Sequence, residues 1–170
     1  MGTPFRNFSL KKHYEVKKGV KLSLRDVWPN EALDFTPWLL KTHIIEDIMS
    51  SLHIYNNPLK FWKSEVTCGE YRIDMIYKEV NGDSGRLIVE NQYERSDSKH
   101  LGQILVYSKL TGIKYILWIS EGVGKEHQGI SEMLKDVRII PVSFNLHKIS
   151  HGYILNVYIY YGNCEVLSYQ

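Results

Sequence analysis

The chain has 170 residues, 44% of them hydrophobic and 24% charged, with a formal net charge of +2. That length and balance suit one soluble globular domain and exclude collagen-like, disordered or helical membrane-spanning classes. Two cysteines, Cys68 and Cys164, are too few for a disulfide framework or a zinc-binding pattern. The expected setting is therefore reducing and, with no apolar leader in "MGTPFRNFSLKK", cytoplasmic.

Residues 1–30 read as a basic N-terminal segment, followed by a single domain over 31–170. Lys11, Lys12, Lys17, Lys18, Lys21 and Arg25 crowd the segment, and Glu15 is the only acid before Asp26. A solvated arm is the ordinary account; an arm touching phosphates through Lys17 and Lys18 is the functional one. The spacing predicts a helix beginning after "DFTP", capped by Thr36 with Pro37 in its first turn. Apolar residues at helical spacing carry it to about His53, where "YNNP" breaks it. Two strands follow, about 60–67 and 71–80, joined by the short turn "TCGE". "NGDSG" makes a second turn and delivers the strand 86–92.

Asp97 is placed to cap a helix over 98–111, which "TG" ends. "YILWIS" at 115–120 is continuously apolar and sits between helical patterns, as a buried, parallel strand would. A further helix is expected over about 125–136, then strands over 138–148 and 152–161. The sum is a mixed α/β sheet flanked by helices, with core order α-β-β-β-α-β.

Alternation along a strand puts Glu90 and Gln92 of "RLIVENQ" on one side. In "YRIDMIY", Asp74 is a carboxylate in the middle of an apolar strand, which is costly unless it has a partner. If the strands pair through the 81–85 turn, Asp74 and Glu90 approach each other across the ladder. A divalent cation with hard oxygen ligands would reconcile the two charges. An ion pair of Asp74 with Arg72 or Arg86 accounts for the same residues without any metal.

Asp74, then Glu90 sixteen residues on, then position 92 resembles the PD-(D/E)XK nuclease superfamily. Within it, "RDVWPNEALDFTPWL", "GEYRIDMI", "IVENQ", "SDSKHLGQILVYS", "LWISEG" and "EHQ" are similar, in the same order, to a group of bacterial and archaeal nuclease-like domains. The likeness covers residues 24–135. It implies a restriction-endonuclease-like fold and a nuclease acting on DNA with Mg2+ or Mn2+. It also implies a homodimer, as in superfamily members that cut both strands. The alternative is an inactive module of that fold that binds nucleic acid or a protein.

Carried over, the resemblance makes Asp74 and Glu90 the metal-binding carboxylates. Gln92 stands where the superfamily usually has Lys; it can orient water but cannot supply a positive charge. His100 and Gln103, one stripe of the second helix, fall beside the site, His100 to contact phosphate or assist a proton transfer. Lys63 and Lys99 are candidates for the missing cation. Glu46 matches the helix-borne Glu of some members, which binds a second metal or its water. A surface Glu on an amphipathic helix is the more ordinary account of Glu46.

Overall fold

A computed structural model describes residues 19–162 and 165–170. Its strands are β1 (Val20–Leu22), β2 (Leu59–Cys68), β3 (Tyr71–Glu79), β4 (Leu87–Asn91), β5 (Tyr115–Ser120), β6 (Arg138–Ile149), β7 (Gly152–Ile159) and β8 (Glu165–Tyr169). Its helices are α1 (Thr36–Thr42), α2 (Ile44–Ser51) and α3 (Ser98–Thr111). All eight strands join one sheet in the order β2-β3-β4-β5-β6-β7-β8, with β1 paired to β6. The β2-β3-β4 meander is antiparallel, β4-β5-β6 is parallel, and β6-β7-β8 is antiparallel again. The mixed α/β fold is the one expected, in the expected core order.

Side-chain alternation divides the interior in two. Met75, Tyr77, Val89 and Leu117 pack on the side of α1 and α2; Ile76, Ile88, Trp118 and Ile104 pack on the side of α3. The middle strands are buried on both faces, which explains the unbroken apolar run of β5. The meander depends on a close approach at Gly85. A Cβ there would lie 2.8 Å from both Ile76 and Ile113 side chains, so this turn admits no larger residue without repacking. Asp97 caps α3 and Gly112 ends it, as the spacing predicts.

Four local expectations need correction. The first helix starts earlier than Thr36: a π-helical turn spans Glu31–Phe35, and Asn30 caps it by accepting the Leu33 amide at 2.9 Å. Pro37 falls where the wide turn gives way to α1, and its missing N–H interrupts the bonding at that junction. His43, in the left-handed region at φ 57, then separates α1 from α2. The helix expected over 125–136 is a string of turns with one 3-10 segment, Ile130–Met133. Gly129 at φ +69 interrupts it, and bonds such as Glu132 N–H to the Gly129 carbonyl are three residues apart. Residues 20–26, read as part of an irregular basic segment, form a strand and a 3-10 turn. Val20–Leu22 pairs with Leu146–Lys148, and Leu24 is fully buried. Among the described residues no helix is long and apolar enough to cross a membrane.

Candidate active site

The β3–β4 register decides where the two acidic residues lie. Met75 pairs with Val89 and Ile76 with Ile88 at the end of the ladder, and the same register continued one residue further sets Asp74 opposite Glu90. The Asn91 amide donates to Asp74 Oδ2 at 2.7 Å. Glu90 is 5% exposed, and its Oε2 has no hydrogen-bond partner among the described residues. Burial pushes both carboxyls above their usual range. For Glu90 the nearby Asp74 and Glu31 charges add to it; for Asp74 the Asn91 amide opposes it. The ion pair weighed for Asp74 does not form: Arg72 pairs with Glu65 and Arg86 with Glu79.

On β2, Ser64 faces Met75 and Val66 faces Ile73, which leaves Glu65 opposite Asp74. Glu65 has φ 53, a left-handed conformation in the middle of a strand. Its charge is felt by Asp74 and raises it further.

Asp74 and Glu90 open into a cleft of about 290 Å³ that Arg25, Glu31, Gln92, Tyr93, Asp97 and His100 also line. A larger hollow of about 370 Å³ lies near Ser131, Arg138 and Tyr160, but Glu132 is its only carboxylate among the described residues. No pair of acidic groups meets there, so chemistry favours the smaller cleft.

Each expected residue that the structure describes has a definite place. Gln92 is buried and committed: Nε2 donates to the Arg95 carbonyl at 2.8 Å and to Asp97 Oδ2 at 2.6 Å, while Oε1 accepts from the Trp118 indole at 3.1 Å. His100 lines the cleft, with Nδ1 2.9 Å from Asp97 Oδ2. Burial raises the Asp97 carboxyl, but hydrogen bonds from the His100 amide and ring outweigh it and hold the carboxyl below its usual range. Gln103 is a step further out, 3.4 Å from the Tyr107 hydroxyl, which donates to the Arg72 carbonyl and neighbours Glu90.

The structure does not bring the others in. Lys63 is exposed, 4.2 Å above the Trp62 ring, and Lys99 is exposed on the first turn of α3; neither lines the cleft. Glu46 lies beside Tyr77 with His43 as its hydrogen-bond partner, also outside the cleft. Lys17 and Lys18 lie outside the described residues.

The helix-turn carboxylate next to the pair is Glu31 instead. Burial, then the Asp74 charge, pushes its pKa up to about 7 against the opposing Arg25 guanidinium. Asn30 followed by acidic residues at 31 and 34 is the signal that could have marked this helix start, but the Thr36–Pro37 pair masked it.

A second group missed in the sequence holds the loop 92–97 in place. Glu121 N–H donates to the Glu94 carbonyl and Ser96 N–H to the Gly122 carbonyl, so the loop continues the ladder beyond β5. Ser96 Oγ lies 2.8 Å from His127 Nδ1 and accepts the Gly124 amide, with all three atoms buried. The His127 ring packs on Trp118 at 5.1 Å. A continuous path thus runs from His127 through Trp118 and Gln92 to Asp97 and His100.

Among the described residues no three His, Cys, Asp or Glu side chains are gathered closely enough to hold a metal ion by themselves. A magnesium-type ion does not require three, since it takes one or two carboxylates and completes its shell with water and substrate oxygens. The unpartnered Glu90 oxygen and the facing Asp74 carboxyl are hard donors suited to such an ion.

No protein-family model matches the chain, and no curated protein matches it. Among solved structures it is similar to Pyrococcus furiosus SfsA in complex with Ca2+, at 19% identity and a TM-score of 0.43. The match covers 71% of this chain, and the chain spans only 61% of that protein's length. That is a distant structural relation, and the fold assignment rests on the sheet order and register above.

Proposed function

We propose that this chain is a divalent-metal-dependent nuclease that hydrolyses phosphodiester bonds, with DNA as its substrate and magnesium or manganese as its ion. The observation that carries the reading is the Asp74–Glu90 pair: the buried Glu90 carboxyl, with one oxygen lacking a hydrogen-bond partner among the described residues, and the half-buried Asp74 carboxyl come from adjacent strands and line one open cleft. Asp74 and Glu90 would hold the ion. Once bound, it would supply the charge that activates water and stabilises phosphoryl oxygens. His100, oriented through Nδ1 by Asp97, keeps its other ring nitrogen for a phosphate contact or a proton transfer. Gln92 braces Asp97 and the Trp118 ring, and brings no charge.

One observation favours a second reading, a nuclease-fold module that binds without cutting. Gln92 replaces the usual Lys, and both its N–H groups are already used within the protein. The two readings separate on incubation with plasmid, single-stranded DNA and RNA in magnesium, manganese or chelator, beside Asp74→Ala/Glu90→Ala. Metal-dependent cleavage absent from the double variant supports the enzyme. Equal inertness of both proteins, with both still shifting DNA at low salt, would leave the binding module.

A further inference from the structure

The cleft has an unmet electrostatic need. Glu31, Asp74, Glu90, Glu94 and Asp97 all line it, and an approaching phosphate adds further negative charge. The position that would bring a cation holds Gln92, whose donors are spent. Lys63 and Lys99 are not on the cleft. Among the described residues its basic lining side chains are His100 and Arg25.

Arg25 combines a head outside any ion pair among the described residues, though its charge acts on Glu31, with a fixed base. Its guanidinium lies 4.8 Å from the centroid of the Tyr93 ring. Stacking against a ring leaves the N–H edge of a guanidinium available, the edge that matches two phosphate oxygens. The platform is itself pinned, because the Tyr93 hydroxyl donates to the Trp28 carbonyl at 2.6 Å. Beneath Arg25, Ser23 and Asp26 form a capping box. Glu121 Oε1 accepts the Ser23 hydroxyl at 2.8 Å and the Leu24 amide at 2.6 Å, and Leu24 is fully buried. Such anchoring is more than a solvated arm needs.

We propose that Arg25 is the phosphate-holding cation of this cleft, a stacked guanidinium at the mouth in place of the ammonium that position 92 lacks. The assignment rests on the cleft being a phosphodiester site. It places the sequence-distant β1 turn in the substrate's path, where it grips a backbone phosphate beside the Asp74–Glu90 pair.

The test is fluorescence anisotropy with a short labelled DNA duplex in calcium, over a salt series, for wild type, Arg25→Ala, Arg25→Lys, Lys63→Ala and Lys99→Ala. Magnesium-induced changes in melting temperature are measured on the same proteins. Arg25→Ala should bind about tenfold more weakly and lower the slope of log affinity against log salt by about one. Arg25→Lys should recover part of the affinity, the two Lys→Ala variants should stay within about twofold of wild type, and the magnesium shift should persist in Arg25→Ala. Wild-type affinity in Arg25→Ala, equal losses in the lysine variants, loss of the magnesium shift with Arg25, or a wild type that ignores the duplex would each overturn the assignment. Plasmid cleavage keeps the two ideas apart. Cleavage with an indifferent Arg25 rejects this inference alone; Arg25-dependent binding without cleavage rejects the enzyme alone.

Discussion

In the metal-free protein Glu90 ionises against burial, against the Asp74 charge and against that of Glu31. Asp74 is raised as well, so the native state keeps protons on this pair to higher pH than the unfolded chain does, where carboxyls titrate near about 4. With more protons bound to the native state, stability falls as pH rises from that range through neutrality. Thermal melting in chelator should show the midpoint dropping between about pH 5 and pH 8. Glu90→Gln keeps the shape of the neutral carboxyl without its charge. It should flatten that slope and raise the midpoint at the alkaline end by about 2–4 °C, the equivalent of about 1 kcal/mol. A wild-type midpoint that climbs over the same range would refute this account of the pair. Glu65 poses a separate question of conformation. Its left-handed backbone costs about 1 kcal/mol in most residue types, and Asn bears it more easily. Glu65→Asn should therefore leave stability unchanged or improve it despite losing the Arg72 partner; urea unfolding would show a clear loss if the φ were not the controlling term.

At the scale of elements, the loop 92–97 holds the site by its contact with 120–128. Ser96 and His127 are both buried and hydrogen-bonded to each other, so removing either strands the other. Ser96→Ala and His127→Ala should each cost about 1–3 kcal/mol, and the double variant less than their sum by about 1 kcal/mol. Additive costs in denaturant unfolding would mean that the two groups act independently. Asn30 is the cap of the turn that carries Glu31, and Asn30→Ala should cost about 1 kcal/mol. Local chemistry made several elements readable in advance. Asp97 and Gly112 delimit α3 as their capping preferences dictate, and the glycine-bearing turns delimit the meander. Elements set by tertiary contacts were not readable. Strand β8 has only five residues and is a strand because β7 lies beside it. Residues 125–136 carry a helical apolar pattern, yet the Ser96–His127 contact and Gly129 fold them into turns.

For the whole molecule, the sheet brings four distant stretches to one cleft: the turn after β1, the turn before α1, the β3–β4 pair and the start of α3. The approach of Asp74 to Glu90 was legible because strand period and turn position fix their face and register; only the resemblance made them candidate metal ligands instead of ion-pair partners. Arg25 and Glu31 were not, since β1 reaches the cleft only by pairing with β6, more than a hundred residues away. Whether the carboxyl pair takes a divalent ion is read directly by melting temperature at mildly alkaline pH. Wild type should melt low in chelator and rise by several degrees in millimolar magnesium or manganese, as binding to the native state requires. Asp74→Asn/Glu90→Gln should begin higher and ignore the ion. A wild type indifferent to both metals, or a double variant that rises as much as wild type, would contradict the proposed metal site.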